Sequence, residues 1–291
     1  MSSRSVVAVY RDVSQVDEPV FAALAAQGSM DVEVIYWNNY GLERSQPDPE
    51  LGVVPVFPNS PLAGSRVKRR WLDSRSTDST TLCRSIIDRQ PGLVILNDLG
   101  SSAKFGLATG LRSHGVTVGF RSDKNLLSEG ARRGPPRFIE QMAYRAAFNL
   151  LFPISELTRS YYGWPQGHAS LFPYCTDTAK FAPADRGARR QAKREALGIK
   201  DGVHVLLAVT KFAQREDPLE VLRVFQEVRR RRDDVILVMV GSGPLFRAVQ
   251  ATASDAGLKT AVHLAGYVPY AELQDYFFCA DLFLHFPQRE P

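Results

Sequence analysis

The chain has 291 residues, of which 44% are hydrophobic and 23% charged. That balance excludes a disordered or collagen-like chain, and the length allows two domains with real cores at ~100–200 residues each. The net charge of +5 is spread over both halves without a basic or acidic tail. It suits a protein that handles phosphate or rests near an anionic membrane, and it is too weak to argue for nucleic acid.

No run of ~18 apolar residues occurs, so no spanning helix is expected. The apolar run at 6–10 is too short for the core of a signal peptide. Cys83, Cys175 and Cys279 are far apart and form neither a disulfide framework nor a zinc spacing. A reducing, cytoplasmic setting follows, with peripheral contact at the inner membrane face left open.

In chain order, short β-branched runs at 6–10, 32–36, 93–96, 116–120, 150–152 and 171–172 read as strands. Helical patterns lie between them at 17–27, 80–89, 101–113 and 136–148. Strands that alternate with helices imply βαβ units around a parallel sheet. The strands are apolar throughout, as expected when both faces are covered. Residues 38–75 break the rhythm with prolines at 47, 49, 55, 58 and 61, and Arg66, Lys68, Arg69 and Arg70 close the stretch. It reads as a long irregular insertion, and such loops are usually functional.

Composition shifts again at 182–194, a basic stretch that reads as a linker and a short helix with Gly198 at its end. A strand at 203–209 follows. Asp217 at N-cap, Pro218 at N1 and Glu220 at N3 start the next helix, and Arg229 to Arg232 close it. Residues 235–240 form a strand. Pro244 opens a helix that stops at Gly257, and 262–264, a helix after Pro269, and 282–286 complete the series. The result is an α/β chain of two tandem Rossmann-like parallel-sheet domains, at 1–182 and 183–291.

Several residues carry candidate chemistry. Gly241-Ser242-Gly243 follows a buried strand and leads into a helix, where backbone N–H groups can meet a phosphate. The same residues also suit a plain tight turn. Lys211 lies beyond the carboxyl end of the 203–209 strand, where ligands of open sheets bind, although a solvated lysine reads the same way. Gly266-Tyr267-Val268 could face a base or form an ordinary turn. His204 and His263 fall in strands and read as core histidines. There is no G-x-S-x-G, H-E-x-x-H or C-x-x-C signature.

Six segments, in order, resemble retaining glycosyltransferases of family 4, which have the GT-B fold. They are 171–183 (LFPYCTDTAKFAP), 194–199 (REALGI), 206–219 (LLAVTKF…DPL), 238–245 (VMVGSGPL), 264–269 (LAGYVP) and 280–291 (ADLFLHFPQREP). The N-terminal half is similar to acceptor domains of that family over 17–36. The resemblance implies a hexose transferred from a nucleotide-diphosphate sugar to a glycan, lipid-linked or small-molecule acceptor with retention, without a metal or other cofactor. It implies that Lys211 contacts the diphosphate and Glu290 the donor sugar. Gly241, Ser242 and Gly243 would approach the nucleotide, and Tyr267 and Val268 would flank the base. Arg121, Ser122 and Asp123, at the end of the 116–120 strand, become acceptor contacts, as does the 38–75 insertion.

The sequence departs from the family at four places, one of them a common acceptor-domain histidine in whose stretch Arg121, Ser122 and Asp123 stand. Glu216 stands where the family has a second phosphate-binding lysine, with Arg215 beside it as a substitute, and Thr210 replaces a glycine. The chain ends just after Glu290, the first glutamate of the family's E-x7-E motif, so the donor domain is expected to be truncated. An inactive fragment or a non-catalytic binding module of the same fold therefore remains the alternative. A GT-B epimerase would need a carboxylate and histidine pattern that is not recognisable here.

Overall fold

The computed structural model describes residues 5–10, 18–27, 31–36, 67–71, 78–97, 99, 101–129, 137–176 and 178–288. They divide into two compact units at residue 177. The first unit holds β1 (Ser5–Tyr10), α1 (Glu18–Ala26), β2 (Asp31–Tyr36), β3 (Val67–Trp71), α2 (Ser79–Ile87), β4 (Leu93–Asn97) and α3 (Ser101–Ser113). It continues with β5 (Val118–Ser122), α4 (Leu126–Glu129), α5 (Arg137–Ala147), β6 (Leu150–Pro153) and α6 (Glu156–Tyr162).

Its six strands are all parallel, in the order β3-β2-β1-β4-β5-β6. That order reverses between β1 and β4, as in doubly wound nucleotide-binding sheets. One face buries Val7, Val9, Leu96, Leu107, Phe120 and Tyr144 under helices, and the other buries Ala8, Tyr10, Phe21 and Tyr36. Each fully buried Leu, Val or Phe contributes about 1.5–3 kcal/mol, so apolar strands between two helical layers account for the fold.

Three expectations fail in this unit. The end of the 38–75 stretch is not irregular: Val67–Trp71 is the edge strand β3, paired from Val32↔Val67 to Tyr36↔Trp71. Its basic residues hid it, because an edge strand needs no continuous apolar run. Residues 38–66 and 72–75 lie outside the described residues. Residues 171–172 form no strand: Phe172 N–H donates to Pro153 O at 2.9 Å, but the only bridge in this stretch, among the described residues, is Leu151↔Ala169. Finally, β5 begins at Val118 and runs through Ser122, so Arg121 lies inside the strand, level with Phe152 of β6.

The second unit holds α7 (Arg186–Ala196), β7 (His204–Val209), α8 (Pro218–Arg229), β8 (Val235–Val240), α9 (Phe246–Asp255), β9 (Val262–Gly266), α10 (Tyr270–Cys279) and β10 (Leu282–Phe283). Its parallel sheet has the order β10-β7-β8-β9 and reverses between β7 and β10. Val221, Leu222, Phe225, Val249 and Ala253 place α8 and α9 on one face. Cys279, Leu273 and Tyr276 place α10 on the other, beside Leu197 and Ile199, which follow α7.

The basic stretch expected to be a linker with a short helix is the eleven-residue α7. Its arginines close the end of α10, where carbonyls lack helical partners. Arg190 Nη1 donates to Phe278 O and Ala280 O at 2.8 and 2.9 Å, and the buried Arg194 donates to Cys279 O at 3.0 Å. Asp281 pairs with Arg190 at 2.6 Å and accepts Val205 N–H at 2.7 Å. His204 and His263 do sit in strands, but both are exposed rather than core residues, because one opens β7 and the other lies on the edge strand β9.

Candidate nucleotide site at the strand ends

The carboxyl ends of β7, β8 and β9 are adjacent, and their loops interlock through the backbone. Thr210 N–H donates to Val240 O at 3.0 Å, and Phe212 N–H to Ser242 O at 2.8 Å. Leu245 N–H returns to Phe212 O at 2.8 Å, and Gly241 N–H reaches Gly266 O at 2.8 Å. The two glycines make this packing available. Gly241 has φ 147°, and a Cβ there would lie 1.8 Å from Thr210 O. Gly243 has φ 148°, and its Cβ would lie 2.6 Å from Phe212 O. Only glycine adopts such a backbone without strain.

These bonds do not use every N–H group of the two loops. Among the described residues, no acceptor is in place for the N–H groups of Lys211, Ser242 and Gly243. Lys211, on the loop after β7, is exposed, and that loop is bonded to the one that carries Ser242 and Gly243. Backbone N–H groups without acceptors, together with a lysine from the adjoining loop, are suited to an anionic oxygen. The structure thus brings Lys211, Gly241, Ser242 and Gly243 together. Tyr267 and Val268 follow directly from Gly266. Val268 is half-buried against the cluster of Val205, Leu207, Val238 and Val240, so its side chain also serves the core.

The segment after β10 reaches the same region from the other side of the reversal point. Leu284 N–H donates to Leu207 O at 2.7 Å, and Gln288 N–H to Arg215 O at 2.8 Å. Gln288 Nε2 donates to Asp217 Oδ2 at 2.7 Å. Asp217 adopts φ 42°, uncommon outside glycine, and its Oδ1 also caps α8 by accepting Glu220 N–H at 3.2 Å. Sequence reasoning found this cap, but it missed the Gln288 anchor. A side chain–side chain contact over 71 residues leaves no local signal.

Arg215 and Glu216 occupy a single turn of 3-10 helix, Gln214–Glu216. The Arg215 side chain is exposed, and its Nε lies 3.9 Å from Glu216 Oε1. The carboxylate therefore has a cationic neighbour on its own turn. Glu290 lies outside the described residues. No three His, Cys, Asp or Glu side chains among the described residues cluster as a metal site requires.

In the first unit, Arg121 is buried. Its Nε donates to Phe172 O at 3.0 Å, Nη2 to Pro173 O at 3.2 Å and Nη1 to Tyr10 Oη at 3.3 Å. The guanidinium also lies 4.8 and 4.7 Å from the Phe172 and Tyr174 ring centres. It fastens the 172–174 segment to the end of β5. Ser122 Oγ lies 3.1 Å from Tyr162 Oη, and Asp123 is exposed, accepting from Tyr174 Oη at 3.2 Å. Of the three acceptor candidates, Asp123 alone presents its side chain openly.

Residues 189–291 match the family described as Glycosyl transferases group 1. A GDP-mannose-dependent alpha-(1-6)-phosphatidylinositol monomannoside mannosyltransferase of Mycolicibacterium smegmatis is 30% identical over 133 residues, 45% of this chain and 34% of that enzyme. The alpha-monoglucosyldiacylglycerol synthase of Streptococcus pneumoniae is 28% identical over 39% of this chain and 26% of its own. The matched stretch thus spans about a third of the first of these relatives. The crystal structure of Anabaena HepE in complex with UDP shares the fold, with a TM-score of 0.66 at 12% identity over 97% of this chain and 74% of its own.

Proposed function

We propose that the chain, whose residues 189–291 match the group 1 glycosyl transferase family, moves a hexose from a nucleotide-diphosphate sugar to an acceptor, with retention at the anomeric carbon. The observation that supports this reading is that the Lys211, Ser242 and Gly243 N–H groups, on two loops bonded to each other, have no acceptor among the described residues, and that Lys211 on the first of these loops is exposed. Negative charge develops on the diphosphate as the bond to the sugar breaks. Preorganised donors and a cation at that position stabilise it, and they do not reorganise during the step. Gly241 would let the nucleotide side approach, Tyr267 and Val268 would flank the base, and Glu290 would contact the sugar.

The names of two relatives, which specify GDP-mannose and lipid products, and the UDP held by HepE support a donor based on either nucleotide and a lipid-linked acceptor ahead of a glycan or small molecule. Asp123, with Ser122 behind it, is the acceptor contact, and Arg121 acts through the segment it holds. The setting is cytoplasmic, with peripheral contact at the inner membrane face. Equilibrium binding of UDP and GDP, followed by transfer assays with UDP-glucose and GDP-mannose, tests the reading. Absence of both nucleotide binding and turnover would reject it.

One observation favours a second reading, a module that binds but does not transfer. The Glu216 carboxylate is partly buried in the loop that carries Lys211, where it would repel a diphosphate. Nucleotide binding without turnover of any donor would select this reading.

A further inference from the structure

The stretch 210–217, between β7 and α8, carries Lys211 and the Arg215–Glu216 pair. It is held at both ends. At the first end, Thr210 N–H donates to Val240 O and Phe212 N–H to Ser242 O, which joins it to the glycine loop. At the second end the turn closes on itself, with Glu216 N–H on Ala213 O at 3.1 Å and Asp217 N–H on Gln214 O at 3.3 Å. Asp217 then passes into α8, which the buried Val221, Leu222 and Phe225 fix against the sheet.

One residue from a distant part of the chain grips this second end at two points. Gln288 N–H donates to Arg215 O at 2.8 Å, and Gln288 Nε2 donates to Asp217 Oδ2 at 2.7 Å. The two acceptors belong to the residues on either side of Glu216. Asp217 holds a left-handed backbone, with φ 42°, and its two oxygens take different partners. Oδ1 accepts Glu220 N–H at the start of α8, and Oδ2 accepts Gln288. Its carboxylate thus joins the helix end to the 284–288 segment. Gln288 is exposed, and in water a lone side-chain bond contributes little. Two bonds from one residue resist opening better, because the first keeps the donor of the second in place. The Leu284 bond to Leu207 O and the fixed φ of Pro287 further limit how the segment can move away.

We infer that Gln288 is a positioning residue of the nucleotide site. It sets the 213–217 turn, and with it the stretch that carries Lys211, so it acts through this loop and not through the ligand. The inference rests on the nucleotide reading proposed above. With the clasp open, Arg215 O and Asp217 Oδ2 lose their donors on both sides of Glu216. The cation of Lys211 and the carboxylate of Glu216 are then free to shift against the glycine loop, and preorganised charge at the phosphates is lost.

The test swaps the chemistry of the two side chains in the full chain. Gln288→Glu sets a second carboxylate against Asp217 and should open the clasp. Adding Asp217→Asn should close it again, since an asparagine can donate Nδ2 to the new carboxylate while its Oδ1 still accepts Glu220 N–H. Hydrogen–deuterium exchange without nucleotide reads the turn: the Glu216 and Asp217 amides should exchange about 10-fold faster in Q288E and return to the unmodified rate in D217N/Q288E. Calorimetric titration reads the site: UDP or GDP affinity should fall about 10-fold in Q288E and recover in D217N/Q288E, with Tm within ~2 °C throughout. Gln288→Ala, which adds no charge, should shift both readouts the same way by a smaller factor. Unchanged exchange in Q288E would overturn the inference, as would unchanged affinity in a chain that binds nucleotide. So would a loss that the swap does not recover, one accompanied by a fall in Tm, or one absent from Q288A, which would mark plain charge repulsion. If the unmodified chain binds neither UDP nor GDP, the transferase reading fails, and the exchange measurement still decides whether Gln288 sets the turn.

Discussion

Gly241→Ala tests whether the strand-end loops pack as described. The new Cβ would start 1.8 Å from Thr210 O, so the loops must separate by more than 1 Å to reach ordinary contact. Residues 210–212 cannot yield freely, because Thr210 N–H is tied to Val240 O and Phe212 N–H to Ser242 O. Forcing a non-glycine residue into this backbone region costs about 1–3 kcal/mol, and each hydrogen bond lost adds about 0.5–1.5 kcal/mol. The sum is about 3 kcal/mol. For a unit of residues 178–288, each kcal/mol lowers Tm by roughly 4 °C, so a fall of about 12 °C is expected. Differential scanning calorimetry would measure it, with UDP titration as a second readout. A Tm within ~2 °C of the unmodified chain would refute the packing argument, since neither strain nor the close contact could then be present.

Other substitutions separate binding from folding. Lys211→Ala removes an exposed cation that makes no contact in the core, so Tm should hold while nucleotide affinity falls about 10-fold, most clearly at low salt. Equal affinity in both proteins would place Lys211 away from the phosphates. Glu216→Lys replaces a repelling charge with an attracting one and should tighten UDP or GDP binding by a similar factor, read by calorimetric titration. Arg194→Met leaves Cys279 O and Val203 O without their buried donor and should cost about 2–4 kcal/mol in urea unfolding. For Asp281, burial favours the neutral acid, but Val205 N–H and the Arg190 and Arg194 guanidinium groups outweigh it and hold the carboxyl below the usual range. A depressed carboxylate stabilises the fold above its unfolded value near 4 and loses that contribution as pH falls through the folded value. Asp281→Asn should therefore flatten the acid limb of the urea midpoint below about pH 4.

The parts of the fold that could be read from sequence are those where pattern and burial coincide. Residues 235–240 are apolar at every position, and the strand found there spans the same residues because both of its faces are covered. The α8 start was legible because capping chemistry is local: Asp217, Pro218 and Glu220 act within one turn. The misses have the opposite character. β3 reads Val-Lys-Arg-Arg-Trp, and only its pairing with β2 makes it a strand. α7 has buried Arg194 and half-buried Arg189 and Arg190 as its packing residues, and nothing local marks an arginine as inward-facing. Phe138, Ile139 and Met142 of α5 are exposed, and apolar residues at helical spacing on an outward face give the same periodicity as on a core-facing one, so sequence found the helix but not its facing.

The candidate site divides along the same line, and two cations show why. Arg121 and Lys211 both come at or just past the carboxyl end of a central parallel strand, and by position each is equally suited to meet a ligand. What separates them is whether other backbone needs the charge. The segment 172–174 returns across the end of β5 and offers the Phe172 and Pro173 carbonyls to Arg121, so its guanidinium is enclosed and its donors are taken. At β7 the returning segment, 284–288, bonds instead to Leu207, Arg215 and Asp217, and leaves Lys211 exposed. Each outcome depends on which segment closes over the strand end, more than 50 residues away in either case. The lysine that remains exposed sits on a loop bonded to the glycine loop after β8, where the Ser242 and Gly243 N–H groups have no acceptor among the described residues, and that conjunction, not the lysine or the glycines alone, makes the second strand end the candidate for the proposed nucleotide site.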